Sequence, residues 1–125
     1  YRLAPDMLPF NRQIQIMTDQ VKGMGARLAG VDVPSYPDTE TTMDDLKARI
    51  AKTLDFVRSV PAAAIDGSEE REVVLKMRSG EHKYPGLQYL MGHAWPNFYF
   101  HVTTAYNILR ANGVDIGKRD FIGQP

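Results

Sequence analysis

Apolar residues recur along the first part of the chain in alternating steps of four and three, the spacing of a helix that packs on other helices. They are Phe10, Ile14, Met17, Val21, Met24 and Leu28. Asp6 offers a side-chain cap, Pro9 suits a first turn, and Gly30 is a typical helix stop. The pattern therefore predicts a first helix over about residues 6–29.

A second amphipathic segment follows a loop with two prolines at 31–40. Thr41 and Thr42 are each followed three residues later by an aspartate, which resembles a capping box and predicts a helix start. The apolar seam of this helix is formed by Leu46, Ile50, Thr53, Val57 and Val60. Pro61 ends the helix, and we expect its charged residues, Arg49 among them, on a solvated outer face.

From Arg71 onward the period changes to two, which predicts a strand with Val73, Leu75 and Met77 on one side. Ser79-Gly80 is a turn signal, and residues 81–84 can return as a second strand. Because an isolated hairpin is marginal in water, we expect this one to lie against the helices.

The last helix is predicted between residues 85 and 113, with an apolar stripe facing inward. The stripe comprises Leu87, Met91, Ala94, Phe98, Val102, Ala105 and Leu109. Pro96 should bend this helix or mark its true start. At about 100° per residue, Phe100 points almost opposite to the stripe and Tyr99 lies well off it. The tail over 114–125 is expected to be irregular and to lie on the surface.

Together these segments predict one predominantly α-helical domain over residues 1–125, with the small hairpin inserted before the last helix. Three helices and a hairpin make an incomplete bundle, so something else should cover the remaining apolar surface. Positive and negative side chains number 15 each, which gives no basic field for nucleic acid or a membrane surface. The chain has no cysteine, which excludes thiolate chemistry and fits a cytoplasmic location.

Three stretches of the chain resemble a known family. They are R-L-A-P-D-M-L-P-F at 2–10, K-G-M-G-A-R-L-A-G-V at 22–31 and P-N-F-Y-F-H-V-T-T-A-Y-N-I-L-R-A-N-G-V-D-I-G-K-R-D-F at 96–121. Over essentially its whole length, the chain is similar to a bacterial family of unknown function in the DinB/YfiT-like superfamily of metal-dependent four-helix bundles. The resemblance implies an up-down bundle with a crossover connection. It also implies one more helix ahead of the first motif, which this numbering lacks.

The resemblance further implies frequent homodimers and a metal held by three histidines, which some relatives use for thiol-dependent transferase or isomerase chemistry. Aligning I-L-R-A-N-G with the L-R-x-x-G that closes the superfamily's last helix puts His101 on the second histidine of an H-x3-H pair. Asn97 falls on the first histidine of that pair. In the first helix, which has no histidine, the nearest candidate ligands are Asp19 and Gln20.

The residues themselves allow two interpretations of this region. His93, Asn97 and His101 stand at i, i+4 and i+8, and with Asp19 such a stripe could hold Zn²⁺, Ni²⁺ or Fe²⁺. Eight residues span about 12 Å, however, which one ion cannot bridge unless Pro96 distorts the helix. The other interpretation places His101 at the edge of the core, hydrogen-bonded to a tyrosine or a backbone carbonyl. His93 then lies at the surface or an interface, and Asp19 is a solvated carboxylate near Lys22 on the outer face.

Five side chains of the last helix indicate a binding surface: His93, Trp95, Tyr99, Phe100 and Tyr106. They could line an apolar ligand pocket between helices, or form a homodimer seam, since aromatic residues are enriched at interfaces. We therefore expect a dimeric protein with a degenerate metal site that is non-catalytic or binds a small apolar or thiol ligand. The alternative is a metal-dependent thiol transferase or isomerase with His101 as a metal ligand.

Overall fold

The computed structural model describes residues 1–123, and this part of the chain is mainly helical with one antiparallel hairpin, as predicted. The long helices are α1 (Phe10–Ala29), α2 (Met43–Ser59) and α5 (Trp95–Ala111). The shorter elements are α3 (Ala62–Ile65), β1 (Glu72–Met77), β2 (Gly80–Pro85), α4 (Gly86–Tyr89), a π-turn (Leu90–Ala94) and α6 (Lys118–Ile122). None of the helices in residues 1–123 is long and apolar enough to cross a membrane.

Helix α1 lies at the centre of the fold and packs against both α2 and α5. Ile14 of α1, Leu46 of α2 and Ala105 of α5 form a buried cluster, with Phe10 and Met17 half-buried beside it. Burying a side chain of the size of Ile14 or Leu46 stabilises a fold by about 1.5–3 kcal/mol. The first half of the seam predicted for α1 is therefore the surface that joins the three long helices.

The start of α1 is later than predicted. Its N-cap is Pro9, which makes no side-chain cap, and Asp6 lies in a preceding turn instead of capping the helix. In that turn the Met7 N–H donates to the Ala4 carbonyl at 3.0 Å. The end of α1 is as predicted, because Gly30 adopts a left-handed conformation with φ 73°.

The capping box predicted before α2 is present. The Thr42 hydroxyl accepts from the Asp45 N–H at 3.1 Å, and the Asp45 carboxylate accepts from the Thr41 and Thr42 N–H groups, both at 3.2 Å. These hydrogen bonds, led by the one from the Thr41 backbone, lower the pKa of Asp45. The helix ends at Ser59, shortly before Pro61, as expected.

The hairpin formed by β1 and β2 docks on the helices. Val73 and Leu75 are buried in one cluster with apolar residues of α1 and α4, as their alternation predicts. Met77, predicted to share their environment, is 39% exposed because it is paired with Gly80 at the end of the ladder, next to the turn. The hairpin thus shares a buried cluster with Met24 and Leu28 in the C-terminal half of α1.

The last helical segment is interrupted by the π-turn. Its backbone hydrogen bonds join residues five apart, one more than in an α-helix, and the Trp95 N–H donates to the Leu90 carbonyl. The break falls just before Pro96, where the sequence predicts a bend or a helix start. Proline has no N–H for an α-helical bond and its ring crowds the preceding turn, so a wider turn relieves the conflict.

The π-turn changes which residues upstream of it face the core. Leu87 and Met91, predicted to face inward, are 53% and 61% exposed, so that part of the predicted stripe is wrong. Tyr89 occupies the buried position instead and is fully covered. A strict 3.6-residue period cannot be carried through a turn that holds one more residue, which is why the periodicity misplaced these side chains.

The tail was predicted to be irregular, and this is wrong for residues 118–122, which form α6. The Asp120 carboxylate accepts from the Gly117 N–H at 2.7 Å and caps this short helix. Phe121 then packs edge-on against Tyr106, with ring centres 5.7 Å apart. The last two residues of the predicted tail, Gln124 and Pro125, lie outside the described residues.

Candidate functional site

A cluster of charged side chains is centred on Arg49 of α2. The sequence predicts Arg49 on a solvated face, and this is wrong, since the residue is only 4% exposed. It lies three residues after Leu46 and four before Thr53, both of which are buried, so it shares the side of α2 that faces α1. The spacing alone could have revealed this position.

Every nitrogen of the Arg49 guanidinium donates a hydrogen bond. The acceptors are Thr18 Oγ1 (2.7 Å), the Gln15 carbonyl (3.3 Å), Asp19 (2.8 Å), the Pro37 carbonyl (3.2 Å), Asp38 (3.1 Å) and Glu40 (2.8 Å). Three of these residues lie on α1 and three in the loop that precedes α2. One side chain therefore ties the loop to both helices, and we call this set of contacts the Arg49 clamp.

The Arg49 clamp is electrostatically satisfied. Burial disfavours the charged guanidinium, but Asp19, Glu40 and Asp38 outweigh that cost and raise the pKa of Arg49. Among the described residues, no buried side-chain nitrogen or oxygen lacks a hydrogen-bond partner. The charges of the clamp are therefore paired with one another, as is typical of a cluster that stabilises the fold.

Tyr36 closes the outer side of the clamp. Its ring lies 3.9 Å from the ammonium nitrogen of Lys22 and 4.2 Å from that of Lys52. Lys22 is itself buried and donates to Asp19 at 3.0 Å. Each cation–π contact of this kind stabilises by roughly 0.5–2 kcal/mol, so the loop is held by aromatic as well as ionic contacts.

Asp19, a predicted metal ligand, belongs to the Arg49 clamp. Its carboxylate accepts from Arg49 and Lys22, and 43% of the side chain is accessible, so it lies beside Lys22 and partly in solvent. The pairing with Arg49 was not predicted. Six residues separate Asp19 from Gln13, which contacts α5. That is about 9 Å along the helix and on another side of it, so Asp19 faces α2 and not the last helix.

His101 lies half-buried where α5 meets α1, at the edge of the core as one interpretation predicts. Its partner is neither a tyrosine nor a backbone carbonyl, because Nδ1 lies 2.7 Å from the side-chain oxygen of Gln13. Burial lowers the pKa of His101. Gln13 was missed because a glutamine beside an apolar seam is usually read as the edge of a polar face.

His93 is half-buried in an aromatic stack and not at the free surface. Its ring lies 6.4 Å from the ring of Tyr84 and 6.0 Å from that of Tyr89, nearly parallel to both. Burial and, second, the positive charge of Arg27 lower its pKa. Asn97 donates from its side-chain nitrogen to the His93 carbonyl at 2.8 Å, so its amide serves the backbone of the π-turn.

The residues predicted to hold a metal are not brought together. Asp19 is paired with cations on the α2 side, the amide nitrogen of Asn97 is turned to a carbonyl, and His101 is bonded to Gln13. Within residues 1–123, no group of three or more His, Cys, Asp or Glu side chains is arranged to hold a metal ion. Zinc sites in proteins use at least three such ligands, so the described residues do not fit the implied metal.

The aromatic residues of α5 divide into three groups. Trp95 stacks on Tyr99 at 5.5 Å, with Phe98 edge-on to both. Phe100 is edge-on to His101 at 5.0 Å, and both Tyr99 and Phe100 remain about half exposed, at 51% and 54%. Tyr106 is separate from them. The predicted aromatic set therefore does not enclose one common pocket.

Tyr106 instead lines an apolar hollow between α1 and α5, with a volume of about 230 Å³. The walls are Phe10, Ile14 and Met17 on α1 and Val102, Ala105, Tyr106 and Leu109 on α5, and Ile116, Phe121 and one charged residue, Asp120, complete the lining. The hollow is open to solvent and is not an enclosed cavity, and we call it the α1/α5 hollow. Phe121 was missed because the tail shows no periodicity that would indicate a helix.

Comparisons with known proteins show the family to which this chain belongs. The family model described as a domain of unknown function, DUF1993, matches residues 1–122. A crystal structure of a DinB family member protein from Shewanella denitrificans is 38% identical, with a TM-score of 0.90, and the match covers 99% of this chain and 70% of that chain. No curated protein matches the sequence.

The chain therefore belongs to the DUF1993 family and has the fold of the DinB-like superfamily. The resemblance seen in the three sequence stretches is confirmed.

Proposed function

We propose that this DUF1993 protein is a non-catalytic binding protein whose ligand is a small apolar molecule, a short thiol included. The observation that carries the proposal is the α1/α5 hollow, which is walled almost entirely by aliphatic and aromatic side chains. Ligand sites in helical bundles commonly lie between facing helices.

The size of the hollow limits the ligand. A cavity of roughly 150 Å³ suffices for benzene in a helical protein. The α1/α5 hollow is open to solvent and holds about 230 Å³, which leaves room for a ring of that size and a few further methylene groups. It suits a substituted ring or a short alkyl chain, and its walls offer such a molecule dispersion contacts and little hydrogen bonding.

The distribution of polar groups supports binding over catalysis. The acidic and basic side chains with the greatest burial are joined to one another in the Arg49 clamp, away from the hollow. The three predicted metal ligands face different partners. A metal-dependent enzyme needs such groups to converge on a reacting atom.

Toluene is a suitable probe, because it is apolar and close to benzene in size. We expect it to shift the methyl NMR signals of Ile14, Val102 and Leu109 in a saturable way. Val102→Trp should fill the hollow and abolish the shifts of the Ile14 and Leu109 methyl groups, whereas Arg110→Trp places the same side chain at an exposed position of α5 and should preserve them. Unshifted methyl signals at saturating toluene, or equal shifts in both variants, would overturn the proposal.

Metal analysis distinguishes the alternative function. If the protein were a metal-dependent thiol transferase or isomerase, untagged protein would carry nearly one equivalent of Zn²⁺, Ni²⁺ or Fe²⁺, lost in His101→Ala. We expect clearly less than one equivalent in both proteins, since His101 would be a single ligand where at least three are usual.

We also infer that the protein forms a homodimer through an exposed side of the last helical segment. Leu87, Met91, Trp95 and Tyr99 follow one another at intervals of four residues there, and Leu87, Met91 and Tyr99 are each more than half exposed. No Asp, Glu, Lys or Arg occurs from Gly86 to Leu109. Interface centres are depleted of charge and enriched in aromatics and methionine, and an uncharged surface can meet its own copy without repulsion.

A further inference from the structure

Gln13 is a buried polar side chain with both ends of its amide engaged. It is 1% exposed, and its nitrogen Nε2 donates to the Leu8 carbonyl at 3.1 Å. Its oxygen Oε1 lies 2.7 Å from Nδ1 of His101. The two hydrogen bonds link the segment before α1, α1 itself and α5 in one short chain of contacts.

These contacts fix where the proton of a neutral His101 resides. A backbone carbonyl can only accept a hydrogen bond, so the amide nitrogen of Gln13 must face Leu8. The amide oxygen, which also can only accept, must then face His101. Nδ1 therefore carries the proton, and in the neutral ring Nε2 is left with a free lone pair.

The surroundings of His101 favour this neutral form. Its partner is an uncharged amide, and no salt bridge in the described part of the chain involves it. The neighbouring Phe100 ring is edge-on at 5.0 Å and offers no hydrogen bond to the imidazole plane. The ring is half-buried, so part of it remains accessible.

We propose that Gln13 is a positioning residue that holds His101 as the Nδ1–H tautomer, which makes Nε2 a fixed hydrogen-bond acceptor for a ligand carrying an O–H, N–H or S–H group. The ligand class follows from the lone pair of Nε2, which can only accept a hydrogen bond and therefore needs a hydrogen-bond donor on the ligand. This site is distinct from the α1/α5 hollow, whose walls include neither Gln13 nor His101.

The tautomer is directly observable in a long-range proton–nitrogen NMR correlation of the ¹⁵N-labelled protein at neutral pH. We expect the His101 proton on Nδ1 in the natural protein. In Gln13→Leu the acceptor is lost, and the ring should revert to the Nε2–H form that free imidazole side chains prefer. Gln13→Glu keeps an acceptor oxygen and should retain the proton on Nδ1.

Gln20→Leu is the matched control, because Gln20 is a half-buried glutamine of the same helix. It should leave the His101 pattern unchanged, and the His93 signals provide an internal reference in every sample. A natural protein with the proton on Nε2, or a Gln13→Leu variant that keeps it on Nδ1, would overturn the assignment of Gln13. The first of these results does not require any variant to fold.

Phenol tests the acceptor role, because it combines a small ring with an O–H donor. Titration with phenol should move the Nε2 signal of His101 saturably upfield in the natural protein, because its lone pair then accepts from the phenol O–H. In Gln13→Leu, where Nε2 carries a proton and can only donate, this upfield shift should be absent. Toluene, which has no donor, should leave Nε2 unshifted while it moves the methyl signals of the hollow. An unresponsive Nε2 overturns this inference, whereas unresponsive methyl groups overturn only the proposed apolar ligand.

Discussion

At the scale of single residues, His93 and His101 differ from a free imidazole in the same direction. Burial lowers the pKa of both rings, and for His93 the charge of Arg27 adds to the effect. In the unfolded chain a histidine titrates near 6.5. As the pH falls below that value, the unfolded chain takes up protons that the folded chain does not, so the free energy of unfolding decreases.

We therefore expect the protein to lose stability as the pH falls through about 6.5, and the loss to level off below the folded-state pKa values. His93→Gln removes one of the two titrating rings and should reduce this slope, whatever it does to stability at neutral pH. Urea unfolding at several pH values between about 7.5 and 5 measures the effect. His82→Gln, on the hairpin, is the control, and an identical slope in all three proteins would contradict the argument.

The sequence predicted which apolar residues of α1 face the core, but not which polar residues are buried at the contacts between helices. Burial of Ile14 or Leu28 follows from the helical periodicity alone, because removing an apolar side chain from water is favourable whichever residues pack against it. Burial of Arg49 or Gln13 depends on partners far away in the chain. Arg49 meets Asp19 across 30 positions and Gln13 meets His101 across 88, and no local pattern contains either pairing.

At the scale of elements, the Arg49 clamp connects α2, α1 and the loop between them. Removing the guanidinium would leave Glu40, of which 12% is exposed, without its cation. Breaking a buried ion pair in this way costs about 3–5 kcal/mol, and the larger exposure of Asp19 and Asp38 places the expected cost near the lower limit.

We expect Arg49→Met to reduce the free energy of unfolding by about 3 kcal/mol. Lys47→Met makes the same kind of change at an exposed position of the same helix and should stay within about 0.5 kcal/mol of the natural protein. Chemical denaturation of the three proteins at neutral pH is the measurement. Similar losses in both variants would mean that the clamp contributes nothing beyond an ordinary surface charge.

The elements themselves were largely predictable. Caps, prolines and glycines mark the ends of α2 and the C-terminus of α1, and strict alternation marks β1. The π-turn was not predictable, because the search for a periodicity assumes the same number of residues in every turn. In addition, the clash that Pro96 creates can be relieved by a kink, by a new helix start or by a wider turn. α6 escaped notice because a helix of five residues is too short to show a period.

At the scale of the whole molecule, the exposed side of the last helical segment is the best candidate for contact with a second copy. Tyr99→Glu would place a charge within that surface on both partners and should convert a dimer into a monomer. Leu54→Glu, at a position 43% exposed on α2, introduces the same charge elsewhere and should leave the dimer intact. Light scattering of the purified proteins gives the mass, and a monomeric natural protein would contradict the proposal.

The fold class and the family were accessible from the sequence, whereas the arrangement of the site was not. The DinB-like architecture follows from long sequence stretches and three amphipathic helices. Which polar groups converge depends on the rotation of each helix about its axis, and a rotation of one residue, about 100°, decides whether a side chain meets another helix or solvent. Asp19 and His101 illustrate this, since both lie on packed helices yet face different neighbours.

The contacts of Arg49 also bear on the order in which the chain folds. Its bond to Asp19 closes a loop of 30 residues, while the bond between Gln13 and His101 closes one of 88. The longer closure costs about 1 kcal/mol more in chain entropy. Local contacts form first when stabilities are comparable, so we expect α1 and α2 to associate before α5 docks. The pair of helices joined by the Arg49 clamp would then form the nucleus of folding, and the histidine-bearing helix would be the last long helix to reach its place.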